Sequence, residues 1–281
     1  MENLNYKKTI KNIRKELKNY LIENNLKSMV VGVSGGIDSA LACALAYPIA
    51  KELNIELIGR SITIESNSQD EIERAKQIGE NFCTNFREVN LTEEYNVLKD
   101  SLLNSDIVIN KVETDREQKI RLGNVKARMR MIHLYDLSQK NNGLVISTDN
   151  YTEYLLGFFT IFGDQGDYAP IQYLWKTEIY NMTEWLAENE NISTDASKSL
   201  SSMLDAIATD GLGITNSDLD QLIPDWKDRH NTTREGYYEV DQILIEMENN
   251  KFDKNNPIII RNKKSNFKRN HPISLKRDQI I

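Results

Sequence analysis

Residues 30 to 41 read VVGVSGGIDSAL, a β-branched run that breaks at Ser34-Gly35-Gly36 and resumes as a helical pattern from Asp38. Glycines between a strand and a helix let a ligand approach the backbone, and the unpaired amides of the first helical turn attract an anion. The order of residues excludes two common nucleotide loops. A Walker loop ends in Gly-Lys-Ser/Thr, where this chain has Ile37-Asp38-Ser39. A dinucleotide fingerprint needs G-x-G-x-x-G, which Gly32, Gly35 and Gly36 do not supply. In place of a lysine the loop offers the Asp38 carboxylate, which repels phosphate but can hold a magnesium ion that bridges to it. A bare turn would need neither two serines nor an acid at fixed places.

The elements around the loop must position it. SMVVGV (28–33) precedes a helical pattern over 38–53, and ELIGRSITI (56–64) precedes one over 68–83. FREVNL (86–91), a long helical stretch around 116–140 and LVIST (144–148) follow. Strands at that spacing with helices between them predict βαβ units and a doubly wound parallel sheet, a Rossmann-like α/β class that binds ligands at strand carboxyl ends. Pro48 falls inside the first of these helices and is expected to kink or shorten it. Near the N-terminus, Ile10, Ile13, Leu17, Tyr20 and Leu21 recur at the spacing of an amphipathic helix. Beyond about residue 200 turn and small residues predominate, predicting a mobile loop over about 200–230 and a helix at about 232–250. The chain reads as one α/β domain, 1–281, with a helical, loop-rich C-terminal part and a basic tail over 261–281.

With 40% hydrophobic and 27% charged residues in 281, the balance is that of a globular protein. No apolar run approaches the roughly 20 residues that span a bilayer, and the N-terminal segment lacks the apolar core of a signal peptide. No membrane association is expected. Cys43 and Cys83 lie in apolar surroundings and read as buried thiols, not as a disulfide framework or metal cluster, which suits a cytoplasmic chain. The net charge of −7 conceals an asymmetry. Residues 261–277 carry Arg261, Lys263, Lys264, Lys268, Arg269, Lys276 and Arg277 and no acid. The acidic remainder argues against a nucleic-acid partner, which needs cations over a wide face. The tail reads either as a solvated terminus or as a segment that folds back over a phosphorylated small molecule.

SGGIDS (34–39) resembles the SGGxDS signature of the ATP pyrophosphatases, enzymes that split ATP between its α and β phosphates. Other segments narrow the resemblance. GNVKARMRMIHLYDL (123–137) is similar to the GNxxARxRM helix of the ammonia-dependent NAD synthetases. VISTDNYTEYLLGFFTIFGD (145–164) is similar to their GTxNxxE and GFFTKYGD segments. PIQYLWKTEIYNM, DGLGITNSDLDQL and KSNFKRNHP follow in the same order. The resemblance implies adenylation of the carboxylate of deamido-NAD by ATP with release of pyrophosphate. Ammonia then displaces AMP to give NAD. It also implies magnesium, a homodimer, and ATP, ammonia and deamido-NAD as partners.

Carried over residue by residue, the resemblance assigns Gly32, Val33, Ser34, Gly35, Gly36, Ile37, Asp38 and Ser39 to the pyrophosphate loop. Asp38 and Glu153 match magnesium ligands. Thr148 and Lys176 match residues on ATP, and Ser202 falls near a threonine that contacts it. Arg128, Phe158, Phe159, Asp167, Phe267 and Lys268 match the deamido-NAD region. Asp38, Glu153 and Lys176 are the residues expected to carry catalysis. Some positions depart from the family pattern. The lysine of FFTK is Ile161, the histidine of EHKR is Phe267, GT is Ser147-Thr148, and the GDQGDYAP loop is one residue shorter. Neither cysteine sits in a nucleophile context, so no glutaminase is expected, and His133, His230 and His271 read as structural or surface residues. Two alternatives stay open on these residues: a ligase of the same loop type acting on another carboxylic acid, and a nucleotide-binding homologue without catalysis.

Overall fold

The computed structural model describes residues 4–65, 67–104, 113–206 and 217–280. Four strands, β1 (Ser28–Gly32), β2 (Glu56–Thr63), β3 (Asn85–Asn90) and β4 (Gly143–Val145), form a parallel sheet in the order β3-β2-β1-β4. Helix α1 (Tyr6–Glu23) precedes the sheet; α2 (Ile37–Leu53) links β1 to β2 and α3 (Gln69–Phe82) links β2 to β3. The chain then crosses back through α4 (Thr92–Leu103) and α5 (Asp115–Lys140) to place β4 on the far side of β1. That reversal between β1 and β4 is the topological switch point at which open α/β sheets bind ligands.

Alternation along the strands builds a core on each face. Met29 and Val31 of β1, Leu57 of β2 and Leu144 of β4 join the cluster under α1, α2 and α3. Val30, Ile58 and Val145 point the other way, to Met131 and Leu134 of α5. Short apolar strands buried on both faces are what a parallel sheet requires.

Helix α2 runs through Pro48 to Leu53, so the proline does not shorten it. Proline has no N–H for the Ala44 carbonyl one turn back. Arg14 of α1 replaces it: Nη2 donates to Ala44 O at 3.0 Å and Nε to Leu45 O at 3.3 Å. Glu190 holds the guanidinium in place, accepting from Nη2 at 2.9 Å.

The C-terminal half consists of α6 (Tyr151–Leu156), α7 (Lys176–Asn189), α8 (Thr194–Ser201), α9 (Leu219–Leu222), α10 (Trp226–Arg229), α11 (Thr233–Glu248), α12 (Pro257–Lys264) and α13 (Asn266–Arg269). The loop expected over 200–230 falls partly outside the described residues, at 207–216. Its remainder contains the packed helices α9 and α10, with Leu219, Leu222 and Trp226 buried. Among the described residues no helix is long and apolar enough to cross a membrane.

Candidate active site

The carboxyl ends of β1 and β4 open into a cleft of about 690 Å³. Its floor is the 34–39 loop. Ser39 Oγ donates to Gly36 O at 3.0 Å and accepts from Ser34 N at 3.2 Å, while Ser34 Oγ accepts from Gly36 N at 3.2 Å. The two serines therefore knit the loop to itself. Gly35 has φ +82°, and a Cβ there would meet the Glu71 carbonyl oxygen of α3 at 2.2 Å. Only glycine meets both conditions. Side chains cap α3, α5 and α6 in reciprocal capping boxes, but Gly36 gives α2 none. The first-turn amides of α2 thus stay uncapped at the mouth of the cleft, as an anion site requires.

Glu153 reaches the same place from β4. The segment after that strand turns into α6 through a capping box: Glu153 N donates to Asn150 Oδ1 at 3.0 Å. The buried Asn150 then donates through Nδ2 to Asp38 Oδ1 at 2.7 Å, tying the two strand ends together. Lys176, at the first position of α7 and 1% exposed, donates through Nζ to Asp38 Oδ2 and, at 2.8 Å, to Glu153 Oε1. Burial and the Asp38 charge push the Glu153 carboxyl up to about 7, against the opposing pull of Lys176. Burial works against a charged amine, yet the Asp38 and Glu153 carboxylates hold the Lys176 pKa well above the ordinary lysine value. The Tyr237 ring lies 5.5 Å from its Nζ.

Two carboxylates converging on one point, with negative charge in excess of the single lysine, are hard oxygen donors suited to magnesium. Among the described residues no group of three or more metal-ligating side chains occurs, so Asp38 and Glu153 are the protein groups that would hold such an ion. The residues present fit the ion.

The remaining predicted residues divide. Gly32, Val33, Ile37, Thr148, Phe158, Phe159, Phe267 and Lys268 line the cleft. Phe159 is buried and stacks on Tyr154, whereas Phe158 is covered by the Arg261 guanidinium at 3.7 Å. Phe267 is exposed at the rim. Lys268 Nζ donates to Gly157 O at 2.8 Å and to Phe159 O, so the basic tail does fold back over the site, held by carbonyls of the segment after α6. Gly157, at φ +67°, makes this possible, since a Cβ would meet Ser265 at 2.4 Å. Arg128 is not in this cleft. It lines a neighbouring depression of about 340 Å³ bordered by Leu102 of α4 and sharing Ile120 and Asn124 with the cleft, and its Nε donates to Ile161 O at 3.3 Å. Asp167 turns back to the sheet, accepting from Val145 N at 2.8 Å. Ser202 ends α8, donates to Ser199 O at 2.9 Å and does not line the cleft.

Sequence reasoning missed several charged groups in the cleft. Asp149 is pushed well up by burial and by its neighbours Asp164, Glu153 and Asp38, and Asp164 is raised by burial. Arg60, Arg74 and Arg130 also line the cleft. Asn150 carried a readable signal, since Asn-x-x-Glu is a capping-box pattern.

A sequence profile of the NAD synthase family matches residues 9–272. The chain is 33% identical to the NH(3)-dependent NAD(+) synthetase of Finegoldia magna over 184 residues, 65% of this chain and 70% of that one. It is 32% identical to that of Thermococcus sibiricus over 227 residues, 79% of this chain and 82% of that one. The fold matches the NMN synthetase of Francisella tularensis with a TM-score of 0.72 at 22% identity, covering 98% of this chain and 99% of that one. A glycine loop without lysine, two carboxylates joined by one buried lysine at a switch point, and a profile match over nearly the whole length agree. The chain belongs to the NAD synthase family.

Proposed function

We propose that the cleft adenylates the carboxylate of deamido-NAD with ATP and then transfers ammonia to it, giving NAD, AMP and pyrophosphate. The observation that carries this reading is the meeting of Asp38, Glu153 and Lys176 at the ends of β1 and β4, beside uncapped amides of α2. A carboxylate oxygen of the acid bonds to the α-phosphorus while the bond to pyrophosphate breaks. The departing anion is received by the loop amides and by Lys176. Asp38 and Glu153 hold magnesium, which when bound neutralises phosphate charge. Ammonia then forms the amide at the acyl carbon as AMP leaves. Asp149 and Asp164 line the cleft, where as carboxylates they hold the incoming ammonium and take up its proton.

The acid lies against Phe158, Phe159 and Phe267, with Lys268 fixing the segment beneath it. Exposed Ile132 and Tyr135 lie four and seven residues beyond Arg128 on one face of α5. This face is read as the contact of a homodimer, and through it Arg128 reaches the dinucleotide. The nitrogen source is free ammonia. Cys43 is buried, and its hydrogen bond with Cys83, with burial, pushes its thiol well up, the reverse of an amidase nucleophile. The two free thiols suit a cytosolic setting.

The test is exchange of labelled pyrophosphate into ATP, followed by amide formation. Exchange that depends on deamido-NAD, with turnover on ammonium and none on glutamine, is the expected result. Exchange supported only by another acid, nicotinate mononucleotide for instance, would retain the ligase chemistry and replace the substrate.

A further inference from the structure

The terminal nitrogens of one arginine in the cleft are used neither by the fold nor by the chemistry above. Arg74 stands on α3 facing the glycine loop, and its Nε donates to Gly35 O at 3.0 Å. Among the described residues, no carboxylate and no hydrogen bond takes its terminal nitrogens. Of the other cleft cations, Arg116 at the start of α5 stands exposed and away from the loop's own bonds, Arg261 donates to the Leu156 carbonyl, and the rest are committed. Arg60 donates to the Gly59 and Asn85 carbonyls and Arg130 to the Ile62 carbonyl. Lys176 is shared by two carboxylates, and Lys268 is bound to the carbonyls after α6.

The position of Arg74 is fixed by backbone. Glu71, one turn before it, presses its carbonyl on Gly35 so closely that no Cβ fits between them. Ala75 and Ile78 anchor the same helix in the core. The guanidinium thus rises beside the loop from a helix already locked against it, and binding requires little reordering. There is also an electrostatic need. The loop supplies only partial charges, and the Asp38 and Glu153 carboxylates outnumber Lys176, whereas the leaving group is a polyanion. A planar guanidinium with free N–H groups is well matched to phosphate oxygens.

We propose that Arg74 is a further substrate-binding residue, which takes the terminal phosphates of ATP and holds the departing pyrophosphate against the loop. This rests on the adenylation chemistry above. It answers what replaces the missing lysine: a cation delivered from the next helix.

The experiment titrates inorganic pyrophosphate with magnesium, and separately AMP, into the wild type, Arg74→Gln and Arg74→Lys. Glutamine retains a donor for the Gly35 carbonyl and loses the charge. The expected result is pyrophosphate binding weaker by about ten- to a hundredfold in Arg74→Gln, with AMP binding unchanged and partial recovery in Arg74→Lys. Unchanged pyrophosphate binding in Arg74→Gln would overturn the inference. Equal weakening of AMP and pyrophosphate would also overturn it, because the residue would then only shape the loop. A wild type that binds neither ligand contradicts the adenylation reading itself, and the inference with it.

Discussion

Lys176 carries a charge in a place where a lone ammonium would lose its proton. Asp38 and Glu153 keep it charged, and Asn150 keeps Asp38 aligned. Asp38→Asn and Glu153→Gln each remove one anionic donor with little change in volume. Either substitution is expected to leave the fold intact, by circular dichroism, and to lower pyrophosphate exchange at ordinary magnesium by at least about a hundredfold. Full exchange in either variant would remove the metal assignment. Asp38 was legible from spacing alone, because an acid follows the glycines where other loops carry lysine. Glu153 and Lys176 were legible only through resemblance, since neither has a local pattern that distinguishes it from a surface charge. Asp149, Asp164 and Arg74 were not legible, because only the return of β4 and the packing of α3 bring them to the loop.

The behaviour of α2 shows how one element can be rescued by another. Pro48 argues locally for an early end to the helix, and the argument is sound for an isolated helix. Arg14, which is distant in sequence, supplies the missing donor. Arg14→Ala is therefore expected to lower stability by about 1–3 kcal/mol. Pro48→Ala should recover part of that loss only in the Arg14→Ala background, where the restored amide can bond Ala44 O. Denaturant unfolding of the four proteins gives the coupling, and strict additivity would contradict it. Asp241 of α11 works similarly on α6 and α7. Fully buried, it accepts from Thr152 Oγ1 at 2.6 Å and from Thr177 N at 2.9 Å, joining the helices that carry Glu153 and Lys176. Burial pushes its carboxyl up to about 6. The folded state then holds this proton more tightly than the unfolded chain, so its contribution is present below about pH 4 and is lost as pH rises through about 6, about 3 kcal/mol in all. Asp241→Asn should flatten the fall in stability between pH 4.5 and 7; an equally steep fall in the variant would contradict this assignment.

At the scale of the molecule, the strand-helix alternation was enough to define the parallel sheet, and most element boundaries agree with the structure to within about two residues. The region after 200 was less legible because α9 and α10 are single turns, too short to show a period, and they are held by the core contacts of Leu219 and Trp226. Assembly is the second question at this scale. On the homodimer reading proposed above, the wild type is expected to sediment as a dimer and Ile132→Asp on α5 as a monomer, with the KM for deamido-NAD raised more than that for ATP. A variant that remains dimeric would show that this face is not the contact. The most direct measurement follows the carboxylate oxygen. Deamido-NAD labelled with oxygen-18 in its carboxylate is incubated with the protein, ATP, magnesium and ammonium, and the products are weighed by mass spectrometry. Adenylation transfers one carboxylate oxygen to phosphorus, so NAD should form with one labelled oxygen in AMP and none in pyrophosphate. Label in pyrophosphate or free phosphate, or NAD formed with unlabelled AMP, would contradict the account.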